Sequence, residues 1–219
     1  MEPALAASLP HHRAIVALDI ERSTTRPDPV KAELRNKTYE IFDAALCSAG
    51  IHKRYRDRFI DRGDGVLALI RPVDQAPKAL LLNRAIPAFS RLLADYNASL
   101  PRPSRGQRQL RVRVVVHAGE VHYDANGCFG EALDVAFRLL DASQVKRRLR
   151  EAAGPLILVV SGEIYSSVVR HGYEGIDQDA FHSLVRVQIA GNRHQGWIQT
   201  PQEATRHQIA EITAYRRPA

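Results

Sequence analysis

Apolar residues run almost unbroken from Ala14 to Ile20 (AIVALDI), interrupted only by Asp19, which predicts a short buried strand ending in a carboxylate. After a polar stretch containing Pro27 and Pro29, Leu34, Ile41, Phe42, Ala45 and Leu46 recur near helical spacing between Val30 and Ala49. Gly50 supplies the stop for that helix. Tyr55 to Ile60 and Val66 to Ile70 then read as two strands around Asp61-Arg62-Gly63-Asp64-Gly65, whose glycines suit a hairpin turn. Leu82, Ile86, Phe89 and Leu93 predict a helix from Lys78 to Leu100, with a kink at Pro87. The stretch PRPSRGQRQ from Pro101 to Gln109 reads as a linker loop, and Arg111 to His117 (RVRVVVH) as a strand. A turn at 119–130, a helix from Glu131 to about Arg150, a strand from Leu156 to Val160, a helix from Gly162 to Arg170 and a hairpin from Phe181 to Thr200 complete the outline.

The order strand, helix, strand, strand, helix, strand is the split βαβ arrangement of a ferredoxin-like sheet, so the expected fold is α/β (α+β): a βαββαβ core with C-terminal additions in a single domain. Residues 1–12 carry no periodic pattern and are read as an N-terminal tail, 13–201 as the domain and 202–219 as a C-terminal tail.

Composition narrows the function. With 45% apolar residues, 219 residues can bury one sizeable core. The apolar runs near 79–82 and 155–160 are far shorter than the roughly 20 residues of a membrane span, and no basic leader precedes an apolar signal core. No membrane association is expected, and the protein is read as cytoplasmic. Cys47 and Cys128 are too few for a disulfide framework or a four-ligand zinc site. An excess of 31 basic over 24 acidic residues favours an anionic partner, a nucleotide or a nucleic acid. An RNA-recognition sheet needs aromatic residues on its central strands, and the strand from Arg111 has none, so nucleic acid is the lesser expectation despite the arginines of 102–113.

The chemistry centres on carboxylates. In a split βαβ sheet the first strand lies beside the hairpin, so Asp19 and Asp64 can converge at one rim, where a hard divalent cation takes oxygen ligands and a triphosphate. Their competing roles are structural: Asp64 serving the turn, Asp19 capping the chain after its strand. Asp134 and Arg138, four residues apart, share one helix face, while Leu133, Phe137 and Leu140 share the buried one; a surface ion pair is the plainer reading. His117 and His122 bracket a turn without the helical spacing of a metal pair and are read as structural, and Trp197 as core.

Three blocks in this order, ALDIERST (17–24), RGDGVLALI (62–70) and VHAGEVHYDANGCFGEALDVAFRLLDA (116–142), resemble the class III nucleotidyl cyclase catalytic domain, nearest the bacterial pyrimidine (uridylate and cytidylate) cyclases of Pycsar anti-phage systems. The resemblance spans about 15–200. It implies a homodimer with active sites at the interface, where Asp19, Asp64 and the Ile20 carbonyl hold two divalent ions, Mn²⁺ or Mg²⁺. One ion assists the ribose 3′-hydroxyl and the other holds the β- and γ-phosphates. The turn Glu21 to Thr24, with Ser23 and Thr24, offers N–H groups to the triphosphate. Arg138 matches the family arginine that neutralises charge in the transition state; Asp134 departs from the family asparagine that orients the ribose. Arg193 lies where the family often offers a lysine to the triphosphate. Adenylyl cyclases read adenine with a Lys and an Asp, and the matching places carry Ile60 and Gly127. The resemblance to the pyrimidine cyclases implies UTP as the expected substrate, giving cyclic UMP and pyrophosphate, with Tyr55 or Arg58 bonding the pyrimidine edge and a cyclic-nucleotide-responsive effector acting downstream. The alternatives are a cytidylate or purine cyclase and a catalytically silent nucleotide-sensing module.

Overall fold

A computed structural model describes residues 9–199. The tail expected at 202–219 and most of that at 1–12 lie outside them. The first strand, β1 (His11–Ile20), begins three residues before the apolar run, so His11 and His12 belong to the sheet and not to a tail. α1 (Asp28–Ser48) follows, and then β2 (Ile60–Asp61) and β3 (Gly65–Ile70) form the hairpin. α2 (Ile86–Ser99), a short α3 (Arg105–Arg108) and β4 (Val112–Asp124) complete the split βαβ core. Beyond it come β5 (Gly127–Phe129), α4 (Glu131–Asp141), α5 (Ser143–Glu151), β6 (Leu156–Ser161), α6 (Gly162–Ser167), β7 (Phe181–Ile189) and β8 (Asn192–Gln199).

The sheet order is β2-β3-β1-β4-β6-β8-β7, with β5 pairing the end of β4. Its first four strands have the ferredoxin-like order, all antiparallel, and β6 adds parallel to β4. Strand alternation divides two cores. Val16, Leu18, Val114, Val116 and Leu158 face α1, α2 and α6, while Ile15, Ala17, Leu67, Val115 and Val159 face α4 and α5. Strands covered on both faces are apolar throughout, which is why β1, β3 and β6 read as unbroken runs.

Four elements differ from the sequence expectation. The strand expected at 55–60 is a 3₁₀ turn (Lys53–Tyr55), one bridge from Arg56 to Ile70, and the two residues of β2. Arg56 donates to Asp43 of α1, and Phe59 stacks on Phe42 of α1 with centroids 5.3 Å apart. Two residues three apart cannot both point at one helix from a regular strand, so the strand breaks. The helix around Pro87 contains a π turn (Leu81–Ala85) in which the Ile86 N–H reaches back to the Leu81 carbonyl, just before the proline that has no N–H to give. The helix expected from 131 to 150 is interrupted at Ala142, whose backbone is extended. A continuous helix would have turned Ser143 and Gln144 inward; the break instead delivers Val145 and Leu149 to the core. The expected linker at 101–109 holds a 3₁₀ turn and α3.

Candidate functional site

The β1–β3 pairing sets the two aspartates side by side. Asp19 pairs with Gly65 in register, and the Ile20 N–H donates to the Asp64 carbonyl at 3.0 Å. Gly65 permits this approach, since a Cβ there would collide with the Leu18 carbonyl oxygen. Gly63, at φ 75°, turns the hairpin. Asp61 occupies the structural role in this turn, accepting from Arg35, Tyr39 and the Gly63 N–H. That leaves the Asp64 carboxylate without an ion-pair partner among the described residues. It lines a cleft of about 330 Å³ with Ile20, Ser23, Thr24, Lys31 and Arg35.

The Asp19 side chain does not enter that cleft. Alternation along β1 turns it to the α4 face, where Arg113, its register partner on β4, donates to its Oδ2. Its Oδ1 is buried and accepts no hydrogen bond. Arg113 is itself buried and also lies 4.0 Å from Asp141 of α4. Burial draws the Arg113 pKa below its ordinary value, with Asp141 pulling the other way. The backbones thus meet as expected, while the carboxylates face different sides of the rim because the buried guanidinium on the α4 side claims Asp19. Asp64 and the Ile20 backbone offer oxygen donors of the kind a hard divalent cation takes, and Asp19, with one orphaned buried oxygen, joins them only by turning from Arg113.

The turn after β1 is fixed from several sides. Glu21 bonds Arg111 through its backbone N–H (2.8 Å) and its carboxylate (2.9 Å), and Arg26 donates to the Gln109 carbonyl at 2.9 Å. Arg22 adopts a left-handed backbone, φ 58°, an unusual strain for a non-glycine residue. Ser23 is buried and Thr24 exposed in the ensuing 3₁₀ turn (Ser23–Thr25). On the α5 side of the turn, Arg22, Arg113, Lys146 and Arg150 line a basic pocket of about 240 Å³.

Asp134 and Arg138 stand exposed on α4 and line a second cleft of about 460 Å³ with Phe137, Asp141, Gln188, Ile189 and Ala190. They form no ion pair with each other among the described residues. Arg193 lies exposed on β8, opposite Gln188 in the β7–β8 pairing. Tyr55 and Arg58 are not brought to either cleft. Tyr55 packs against the α1-side core, and Arg58 lines a separate depression with Tyr39, Asp43 and Phe59, a consequence of the broken strand. His117 is buried, with Nδ1 2.7 Å from Ser161 Oγ, and His122 stacks on Phe129 with centroids 5.2 Å apart. Trp197 is half-buried against Tyr165, 4.3 Å between centroids. Sequence reasoning missed Arg113, Lys31 and Arg35. Arg113 shares an alternation phase with His117, but its pairing with Asp19 needs the strand register.

Comparison with solved structures identifies the architecture. An adenylate/guanylate cyclase/hydrolase from Silicibacter pomeroyi superposes with a TM-score of 0.58 at 18% identity, covering 88% of this chain and 98% of the other. The fold is that of cyclase catalytic domains. A bacterial light-regulated adenylyl cyclase gives 0.62 at 14% identity over 93% of this chain and 55% of the other. The adenylyl cyclase CyaB from P. aeruginosa gives 0.54 at 13% over 89% and 97%. No protein-family model and no curated protein sequence matches the chain. Among the described residues, no helix is long and apolar enough to cross a membrane.

Proposed function

We propose that the protein is a nucleotidyl cyclase that converts a nucleoside triphosphate, UTP foremost, to the 3′,5′-cyclic nucleotide and pyrophosphate, as a cytoplasmic second-messenger synthase in anti-phage defence. The observation that carries this reading is the division of the implied machinery between two clefts of one chain. Asp64, Ser23 and Thr24 line one, and Asp134 and Arg138 the other, with no lining residue in common. Two copies that apposed these clefts would complete two sites, the arrangement the sequence resemblance implies.

In such a site Asp64 and the Ile20 carbonyl, joined by Asp19 once it turned from Arg113, would hold two divalent ions, Mn²⁺ or Mg²⁺, which would supply charge neutralisation and a more acidic 3′-hydroxyl. The ribose O3′ bonds to the α-phosphorus, its proton leaves, and the bond to the pyrophosphate oxygen breaks. The turn at Arg22 to Thr24 presents the triphosphate with backbone N–H groups, the Glu21 N–H being taken by the Arg111 carbonyl, and Arg193 and the basic pocket around Arg113 add positive charge. Arg138, exposed and unpaired, meets the charge developing on the α-phosphoryl oxygens. Asp134 accepts from a ribose hydroxyl, as a carboxylate can. The absence of a purine-reading pair at Ile60 and Gly127 supports a pyrimidine substrate. A cyclic-nucleotide-responsive effector would read the product.

Incubation of the protein with each of the four nucleoside triphosphates and Mn²⁺ or Mg²⁺, with the product identified by mass, tests the proposal. Cyclic UMP or cyclic CMP as the main product supports it; faster turnover of ATP or GTP removes the pyrimidine reading. A second reading, a silent nucleotide-sensing module, draws on the Arg113–Asp19 ion pair and on the carboxylate at Asp134. Its signature is triphosphate binding without pyrophosphate release.

A further inference from the structure

Ile60 and Gly127 leave the base without a polar reader, and Tyr55 and Arg58 lie on the other side of the sheet, so base selection on the cyclase reading needs another donor. The structure supplies one at the same place. Ile60 packs on the α4 face together with Cys128, the neighbour of Gly127. Arg62, two residues beyond Ile60, reaches the same face, and its guanidinium carbon lies 4.1 Å from the centroid of the Phe137 ring. Burial raises the Cys128 thiol pKa, and the Arg62 charge opposes that rise, a second sign of where the guanidinium lies. Phe137 in turn lines the cleft of Asp134 and Arg138.

The guanidinium is exposed, and its side chain makes no hydrogen bond or ion pair among the described residues. The nearest acid in sequence, Asp61, is already held by Arg35 and Tyr39. Stacking on an aromatic ring fixes the guanidinium plane while leaving its N–H edges outward for a ligand.

We infer that Arg62 selects the nucleobase by donating to an exocyclic carbonyl oxygen at the rim of the Asp134–Arg138 cleft, which admits uracil, cytosine or guanine and disfavours adenine. A guanidinium donates and never accepts. Uracil, cytosine and guanine each carry a carbonyl oxygen, whereas adenine carries none and presents its amino group as a donor. The same complementarity makes arginine the commonest specific partner of guanine in duplex recognition. Phe137 is the positioning residue, holding the fork without touching the reacting atoms.

This inference rests on the cyclase reading, and its test separates the two. Arg62→Met keeps an unbranched stem over Phe137 and removes every donor. With the wild type preferring a carbonyl-bearing triphosphate over ATP, Arg62→Met is expected to lower kcat/KM for that substrate about tenfold or more, mainly through KM, and to change ATP turnover by less than about twofold. An equal loss for all four triphosphates, or an unchanged preference, overturns the assignment. Should Arg62→Met fail to fold, Arg62→Leu likewise removes every donor while keeping an apolar contact with Phe137, and the same fall in preference is expected. A wild type that forms no cyclic product overturns the cyclase reading; equilibrium binding of the four triphosphates with Ca²⁺ then decides Arg62. A preference for carbonyl bases that Arg62→Met abolishes upholds it, and its absence or persistence overturns it.

Discussion

His117 makes the stability of this fold depend on pH in a definite window. The ring is 8% exposed, on β4, and its Nδ1 meets Ser161 Oγ, the side chain that also caps α6 by accepting from the Ile164 N–H at 3.4 Å. Burial, reinforced by the positive charges of His194, His12 and Lys78, lowers its pKa from 6.5 to about 4. The folded state therefore holds His117 neutral where the unfolded chain has begun to protonate it. Between pH 4 and 6.5 the unfolded chain binds more protons, so stability rises with pH there. The contribution is complete above the unfolded pKa and is lost as pH falls toward the folded one.

Linkage limits the slope to about 1.4 kcal/mol per pH unit, and between pH 7 and pH 5 these two pKa values remove about 2 kcal/mol of stability. For a domain of this size that is a fall in Tm of roughly 4–8 °C. The carboxylates with lowered pKa, Asp57 and Asp61, titrate below this window and do not blur it. Urea unfolding at pH 7, 6 and 5 for the wild type and His117→Asn measures the effect, because asparagine retains a polar partner for Ser161 and does not titrate. The expected outcome is a wild-type curve that steepens relative to the variant below pH 6.5. Parallel curves across this range would refute the buried, neutral histidine.

Gly65→Ala forces β1 and β3 apart at the Leu18 carbonyl and is expected to cost about 2–4 kcal/mol by denaturant unfolding, whereas Gly63→Ala, with open space around it, costs only the left-handed backbone penalty of about 1–2 kcal/mol. Asp64→Asn and Asp19→Asn are both expected to reduce cyclic-nucleotide formation at least about 100-fold. Only Asp19→Asn should also lower stability, by about 3–5 kcal/mol, because it leaves the buried Arg113 charge unpaired; equal thermal stability of the two variants would contradict the ion pair. Arg138→Ala, at an exposed and unpaired position, should cost about 100-fold or more in kcat with Tm within about 2 °C of the wild type, by product assay and calorimetry.

Where an element's residues agreed with one period, the sequence alone was enough. β1, β3 and β6 are covered on both faces and read as apolar runs, and α1 shows its buried stripe of Leu34, Ile41, Phe42, Ala45 and Leu46. Their order then yields the ferredoxin-like core. The misread segments are those where two demands collide. Residues 56 and 59 both serve α1 and break the edge strand; Pro87 lies just after a π turn; a five-residue step from Leu140 to Val145 divides one helix into two. Each is a tertiary demand overriding a local pattern, and the expectation that Tyr55 or Arg58 faces the base rests on a regular strand where the chain instead turns.

The candidate site divides along a related line. Asp64, Ser23, Thr24, Asp134 and Arg138 stand on turns or an exposed helix face, where the motif blocks alone single them out, and the structure divides them between two clefts. Asp19 lies inside a strand, and its state depends on a residue 94 positions away. Antiparallel register puts Asp19 directly across from Arg113, on the face that β1 gives to α4, and there both side chains are largely shielded from water. A buried arginine needs an anion, and a buried carboxylate needs a cation. The pair satisfies one oxygen of Asp19 and leaves the other without a partner. Any divalent ion that takes Asp19 must therefore share it with Arg113 or displace the guanidinium toward Asp141 and the basic pocket lined by Lys146 and Arg150. Where the ion displaced the guanidinium, loading the site and moving Arg113 would be one event, and the cost of moving it would fall when an anionic triphosphate arrived to meet the guanidinium.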